Sequence, residues 1–436
     1  MQRLELLPHQ IEALNALFGL DFVAFYHDMG TGKTFEGAEQ AVRYDNPVTI
    51  VVCQKSKVTD WVMHFTYYYP NMITFDITRP GEYIRFFDQI GRQPFDPSRV
   101  IAVINYDVIF RRPELMTLTD FTLILDESSL IQNPQAKRTK AVMSMKYKNL
   151  ILLSGTPCSG KYEGLWTQMK MLGWKISEEM FFNQFVNFYW DNDNGFPVRV
   201  ITGYKNEERL KRKMRQHGCH FLKTEDVVDL PDQVFQDIKV PSSKWYREFQ
   251  KERIVVVDGK ELVGDTTLTR MLYERELCGA YSGEKFDAFE DILDSTNDRL
   301  IVFYNFNLEL DRLMEITGNH KRPFGVVNGQ MKNPEVLNTE SAVLFVQYQA
   351  GSMGLNLQIA NRIVYFSPPL SSELFEQSKK RTHRIGQDKT CFYYQLICSG
   401  SIEQKIYRTL AMRRDYTDKL FEQEEGEEYG KKRKSS

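Results

Sequence analysis

The chain has 436 residues, too many for one hydrophobic core, since single cores stop growing at roughly 250–300 residues. Its composition, 42% hydrophobic and 26% charged, is that of a globular protein, and its net charge of −2 gives no bulk attraction for a polyanion. No apolar run reaches the length of a membrane span. Six scattered cysteines without a CxxC pair fit a reducing compartment. The amino terminus, MQRLELLPHQ, carries no apolar signal-peptide core.

The first predicted strand is FVAFYH (22–27), followed at once by DMGTGKT (28–34). An apolar strand, a glycine-rich turn and a Gly-Lys-Thr triplet suggest a phosphate cradle. Backbone N–H groups approach an anion only where no Cβ intervenes, the reason for Gly30 and Gly32. Lys33 would reach the β- and γ-phosphates, and the Thr34 hydroxyl would bind Mg²⁺. Thr31 completes the nucleotide-binding stretch. The strict pattern GxxxxGK[ST] asks for glycine at 27, where this chain has His27; a tight glycine turn capping a helix is the alternative.

Buried strands follow at 49–53, 100–106, 121–126 and 149–155. FTLILD (121–126) ends in the acids Asp126 and Glu127. At such a strand end an aspartate holds Mg²⁺ and its neighbour orients the attacking water, so Asp126 is the metal candidate and Glu127 the general base. An acidic helix cap is the plainer reading of the pair alone. LLSGTP (152–157) ends the next strand, and its hydroxyls Ser154 and Thr156 could sense the γ-phosphate by bonding the Asp126–Glu127 segment; the plainer reading is a Gly-Pro turn.

Between about 160 and 290 the chain reads as helical and charged, with DLPDQ (229–233) as a lobe boundary. The basic segment 206–216 is either a phosphate-backbone contact or a solvated helix face. His217, Cys219 and His220 lack the second ligand pair of a zinc site and read as an ordinary loop or helix end. A second strand series runs through 299–306, 324–328, 342–347, 362–367 and 391–398. Two series of near-continuous apolar strands separated by helix-length segments imply an α/β fold with two lobes of parallel sheet covered by helices. Only the first lobe carries a Gly-Lys-Thr, so one nucleotide site is expected. In QSKKRTHRIGQ (377–387) a helix would put Gln377, Arg381 and Arg384 on one face, where an ATP γ-phosphate would compensate the two arginines. The loop AGSMGLNL (350–357), with Gly354, suits close backbone approach to a phosphate. The ending EQEEGEEYGKKRKSS reads as a frayed charged tail whose KKRK resembles a weak nuclear signal.

Taken in order, these segments resemble superfamily-two helicase motors, and specifically the Swi/Snf-type double-stranded-DNA translocases. LLPHQIEALNAL (6–17) resembles the adenine-reading glutamine motif, with Gln10 as its glutamine. DMGTGKT resembles the family's DEMGLGKT loop, which also lacks a glycine at the position of His27. VVCQKSKVTDWVMHF (51–65), INYDVI (104–109), LILDESSLIQNP (123–134), LLSGTP and KTEDVVDLPDQ (223–233) match further first-lobe and inter-lobe motifs. RLIVFYNF, AGSMGLNLQIANRIVYFSPP, QSKKRTHRIGQ and YYQLICSGSIEQKIY match the second lobe.

The resemblance spans about residues 4–415 and implies two RecA-like lobes with a short helical insertion. The expected divisions are 1–230 for the first lobe, 231–418 for the second and 419–436 for the tail. It implies a DNA-stimulated ATP hydrolase using ATP and Mg²⁺, with ATP between the lobes and Lys33, Thr34, Asp126, Glu127, Arg381 and Arg384 in the roles given above. The expected partner is double-stranded DNA, with single-stranded DNA as a second candidate and a DNA-bound protein as a target, acted on by a monomeric motor without a membrane role. The expected location is the cytoplasm of a bacterial or virus-infected cell, or the nucleus of a eukaryote. Ser129 stands where the family carries histidine, which puts the coupling of hydrolysis in question more than hydrolysis itself. A strand-separating helicase and an ATP-switched binding module with little turnover are the alternatives.

Overall fold

The computed structural model describes residues 5–91, 99–191, 197–351 and 357–421. The chain divides into two compact units, Met1–Val227 with Asp415–Ser436, and Val228–Arg414.

The first unit is built on a seven-stranded parallel sheet. Its strands are β1 (Phe22–His27), β2 (Val48–Cys53), β3 (Ile73–Asp76), β4 (Val100–Asn105), β5 (Thr122–Asp126) and β6 (Asn149–Leu153). After the hairpin β7 (Val186–Asp191) and β8 (Val198–Tyr204), β9 (Cys219–Leu222) completes the sheet. The spatial order is β3-β4-β2-β5-β6-β1-β9. Helix α1 (Pro8–Ala16) precedes β1, and α2 (Lys33–Tyr44), α3 (Val58–Tyr68), α4 (Pro80–Ile90), α5 (Lys137–Ser144), α6 (Leu165–Met171), α7 (Glu178–Phe185) and α8 (Glu207–Gln216) lie between the strands in sequence.

The apolar runs are strands because both faces of each are buried, and period two sorts their side chains between two cores. Ala24, Tyr26, Ile50, Val52, Leu123 and Leu125 enter one cluster, while their neighbours Val23, Phe25, Val51, Cys53 and Ile124 enter the other. A one-residue slip would exchange the two sets, so register is strongly fixed.

The second unit carries a six-stranded parallel sheet from β10 (Gln233–Val240), β13 (Leu300–Tyr304), β14 (Phe324–Val327), β15 (Val343–Gln347), β16 (Arg362–Tyr365) and β17 (Cys391–Cys398), in the order β10-β17-β16-β13-β15-β14. A separate hairpin joins β11 (Ile254–Val257) and β12 (Lys260–Val263). Its helices are α9 (Lys244–Glu252), α10 (Thr267–Gly279), α11 (Gly283–Ser295), α12 (Asn307–Asn319), α13 (Tyr348–Gly351), α14 (Ser372–Lys380) and the part of α15 (Ile402–Phe421) up to Arg414. The same alternation recurs: Leu300, Val302 and Tyr304 face one core, Ile301 and Phe303 the other. A fully buried ion pair, Lys285 Nζ to Glu403 Oε1 at 2.5 Å, joins α11 to α15.

All ten strands expected from apolar runs are present, with small differences at their ends. The region 160–290 departs from the helical expectation, because it also holds both hairpins, β9 and β10. These strands are short or half-exposed, so they lack the continuous apolar run that marks a central strand.

Candidate functional site

The phosphate loop lies where β1 delivers the chain into α2. Gly30 (φ 91°) and Gly32 (φ 86°) are left-handed, a conformation costing an L-residue about 1–2 kcal/mol. At Gly32 a Cβ would also lie 2.3 Å from Gln10 Nε2. The loop is clamped from α1. Gln10 Oε1 accepts from the Leu7 N–H (2.8 Å), which turns Nε2 towards the carbonyls of Thr31 (3.1 Å) and Gly32 (3.3 Å). His9 Nε2 donates to the same Thr31 carbonyl at 2.9 Å. Gln10 is thus placed on the loop itself. Lys33 begins α2 and donates through Nζ to the carbonyls of His27 (2.8 Å) and Asp28 (2.9 Å), while Thr34 follows on the first helical turn. Thr224, in the predicted KTED segment, donates its hydroxyl to Asp28 Oδ2 (3.3 Å) and to the Met29 carbonyl (3.2 Å).

Asp126 ends β5 and is half-buried. Burial pushes its carboxyl upward, opposed first by the Trp61 indole and then by Lys33 and Lys57. Trp61 Nε1 donates to Asp126 Oδ2 at 2.8 Å, and Tyr106 Oη donates to the Asp126 carbonyl at 2.9 Å. The charge interaction with Lys33 sets the acid beside the phosphate loop. Glu127 follows in the left-handed region (φ 51°) and caps a short 3₁₀ turn. A non-glycine residue there is strained, a recurrent property of functional positions. Ser129 lies buried in this turn.

The Ser154–Thr156 loop packs on the phosphate loop: a Cβ on Gly155 would meet Met29 Cγ at 3.0 Å. Ser154 Oγ accepts from its own loop's Thr156 N–H. Ties between this loop and the acid segment run through two glutamines that sequence reading missed. Gln132 Nε2 donates to the Pro157 carbonyl at 3.2 Å, and Gln168 Nε2 donates to the same oxygen at 2.7 Å.

A buried chain of titratable groups underlies the loop and was also missed. Glu36 meets His27 Nδ1 at 2.8 Å, and His27 Nε2 meets His220 Nδ1 at 2.8 Å. Burial raises Glu36 to about 8, lowers His220 to about 4 and lowers His27 well below its ordinary value. A protonated Glu36 donating to His27, which donates on to His220, satisfies both contacts without a buried charge. The three residues of the metal-like cluster diverge: His217 stacks on Trp174, Cys219 enters the core and His220 joins His27.

In the second unit the shared helical face expected for Gln377, Arg381 and Arg384 does not form. Helix α14 ends at Lys380, Arg381 is its cap, and Arg384 lies in the following turn. The chain turns because Thr382 Oγ1 bonds back to the Lys379 carbonyl and Gly386 takes φ 95°. Gln387 Nε2 then donates to the carbonyls of Gln358 (3.0 Å), Ala360 (3.1 Å) and Thr382 (3.3 Å). With the Leu357 N–H bonded to the Arg381 carbonyl, this fastens the basic turn beside the segment that follows the AGSMGLNL loop. Arg384 is half-buried, which lowers its guanidinium from the ordinary value. Gly354 and the KKRK stretch lie outside the described residues. On α8 the predicted basic segment is amphipathic: Leu210 and Met214 enter the core, Lys211 pairs with Glu208, and Arg209 and Arg212 face solvent.

A phosphate loop and an acidic strand end on one parallel α/β unit, followed by a second parallel α/β unit with a basic turn, define a two-lobed helicase-type P-loop protein. Residues 9–281 match the SNF2-related domain, and residues 284–386 match the helicase conserved C-terminal domain. The chain belongs to the SNF2-related family.

Among similar proteins is the SWI/SNF-related matrix-associated actin-dependent regulator of chromatin subfamily A-like protein 1 of Xenopus tropicalis. It is 23% identical over 92% of this chain and 43% of its own length. Another is the ISWI chromatin-remodeling complex ATPase ISW2 of Saccharomyces cerevisiae, 21% identical over 94% of this chain and 40% of its own length. The chain thus spans less than half of these relatives. Two structures of the Sulfolobus solfataricus SWI2/SNF2 ATPase core are also similar. One, in complex with dsDNA, has a TM-score of 0.45 and 19% identity, covering 95% of this chain and 93% of that one. The other has a TM-score of 0.41 and 20% identity, covering 94% and 89%.

Proposed function

We propose that this chain hydrolyses ATP and uses the cycle to move along double-stranded DNA, remodelling DNA or displacing proteins bound to it. The observation that carries the reading is the phosphate loop with left-handed Gly30 and Gly32 and with Lys33 acting electrostatically on the half-buried Asp126. Membership of the SNF2-related family supports ATP as the nucleotide, and the relatives' names support chromatin or DNA as the substrate.

Under this reading the N–H groups of residues 30–34 and the Lys33 ammonium bind the phosphates, with Gln10 fixing the loop's shape. Gly354 belongs to the nucleotide-contacting set as well. Glu127 accepts the proton of the attacking water. Arg381 and Arg384 stabilise the charge that grows on the phosphoryl group. The Thr34 hydroxyl and the Asp126 carboxylate form an oxygen donor pair suited to Mg²⁺, which when bound neutralises phosphate charge. Duplex DNA is held mainly through its phosphates, so binding is salt-sensitive and poor in sequence information.

The test is steady-state ATP hydrolysis with duplex DNA, single-stranded DNA or duplex RNA at one salt concentration. Stimulation by duplex DNA alone is expected. Equal stimulation by single strands, with unwinding of a labelled fork, would replace translocation with strand separation. Lys33→Ala should abolish turnover with the fold intact, and a wild-type rate in that variant would refute the site.

A further inference from the structure

The side chain of Gln168 on α6 is wholly buried and joins three separate segments of the first unit. Its Nε2 donates to the Pro157 carbonyl at 2.7 Å, which ends the Ser154–Thr156 loop. A carbonyl only accepts, so this contact fixes which end of the amide is which. Oε1 is left to accept two hydroxyls, Ser128 Oγ at 2.8 Å and Tyr26 Oη at 3.0 Å. Ser128 directly follows Glu127, and Tyr26 lies one residue before the end of the phosphate-loop strand β1. The preceding residue of α6, Thr167, donates to the Ile131 carbonyl at 2.8 Å, so two adjacent side chains of one helix bond the turn that Glu127 begins.

We propose that Gln168 is a positioning residue for hydrolysis: it sets the backbone that aims Glu127 and ties that setting to the 154–157 loop. The inference rests on the activity proposed above and goes beyond it, because Gln168 touches neither nucleotide nor water. Glu127 sits in a strained conformation, which persists only where its surroundings over-determine it. The Ser128 bond to Gln168 acts one residue away. A shift of the 154–157 loop reaches Glu127 through two rigid bonds, Pro157 to Gln168 and Gln168 to Ser128. The buried amide has no water to replace either bond.

The experiment compares Gln168→Met, Ser128→Ala and the double variant in the full chain. It reads kcat with saturating ATP and duplex DNA, and separately the affinity for a fluorescent ATP analogue. Expected is a fall in kcat of about 10- to 100-fold in each single variant, the scale of a displaced catalytic group, with analogue affinity unchanged. The double variant should be no slower than the slower single one, because both substitutions break one connection.

A purely structural role predicts lower thermal stability with normal kcat, and that result overturns the proposal. Losses that multiply in the double variant overturn it too. Ser128→Ala removes only a hydroxyl, so a normal kcat there refutes the proposal even where Gln168→Met fails to fold. No hydrolysis by the unmodified chain under any condition would overturn the activity reading and this inference together, whereas wild-type hydrolysis with normal variants overturns this inference alone.

Discussion

Glu36→Gln tests the protonation of the buried chain beneath the phosphate loop. Burial raises the Glu36 carboxyl from 4.5 to about 8, against the opposing charges of Lys33, His9 and His220. The group therefore contributes stability that is fully present below pH 4.5 and is lost as pH rises through 8. The imidazoles act in the opposite sense. Burial lowers His220 from 6.5 to about 4 and also lowers His27, so their contribution is present above pH 6.5 and lost as pH falls. Between pH 6.5 and 8 the folded histidines are neutral, and the unfolded ones lose their remaining protons alike in wild type and variant, so the difference between the two reports Glu36. One proton held by the folded state is worth about 1.4 kcal/mol per pH unit, so this window should cost the first unit about 2 kcal/mol. Glutamine keeps the shape, donates to His27 Nδ1 and does not titrate. The stability difference, wild type minus Glu36→Gln, should therefore fall by about 2 kcal/mol from pH 6.5 to 8. Urea unfolding followed by tryptophan fluorescence reads it in a Trp245→Phe background, because the other four tryptophans, 61, 166, 174 and 190, all lie in the first unit. A difference that stays flat, or grows with pH, would mean an ionised Glu36 paired with a charged His27 and would refute the assignment.

Two further outcomes follow from the site. Arg384→Ala should leave ATP affinity nearly unchanged and cut kcat by about 10³-fold or more, the worth of an arginine that meets phosphoryl charge only in the transition state; normal turnover with weakened nucleotide binding would refute that role. Trp61→Phe removes the strongest influence opposing burial at Asp126, so its carboxyl rises further and the acid limb of the kcat/KM profile moves to higher pH; an acid limb that stays in place would show that Asp126 does not govern it.

What was legible in the sequence followed from burial. Central parallel strands are apolar on both faces, and ten of them announce themselves as short continuous runs. The phosphate loop and the acid pair were legible because each sits at the end of such a run. β3 and β9 were not, since ITFD and CHFL are four residues long and lie at sheet edges. CHFL was weighed as part of a metal cluster for the same reason: only as a strand do Cys219 and His220 point to opposite sides. The two arginines were found by residue type, but their shared helical face was an artefact of assuming that α14 continues past Lys380. The partners of His27, Asp126 and Ser128 were beyond reach. His27 and His220 are 193 positions apart, Trp61 and Asp126 are 65, and Ser128 and Gln168 are 40, distances that only the strand order closes.

The same separation explains why the phosphate loop keeps its shape. Left-handed Gly30 and Gly32 gain freedom in the unfolded chain, so their geometry must be imposed from outside. His9 and Gln10 impose it from α1, and Thr224 does so from the segment after β9. Thr224→Val isolates the last of these, keeping the volume of a wholly buried side chain while removing the hydroxyl. The single hydroxyl proton, shared between Asp28 Oδ2 and the Met29 carbonyl, is lost, a bifurcated bond worth about 1 kcal/mol. If that falls on the nucleotide-competent loop, ATP affinity drops about 5-fold, and kcat at saturation stays put because Lys33, Glu127 and Arg384 are untouched. Titration with a fluorescent ATP analogue reads the first number and steady-state hydrolysis the second. An affinity equal to wild type in a folded variant would show that α1 alone holds the loop and that the 223–226 segment has no part in nucleotide binding.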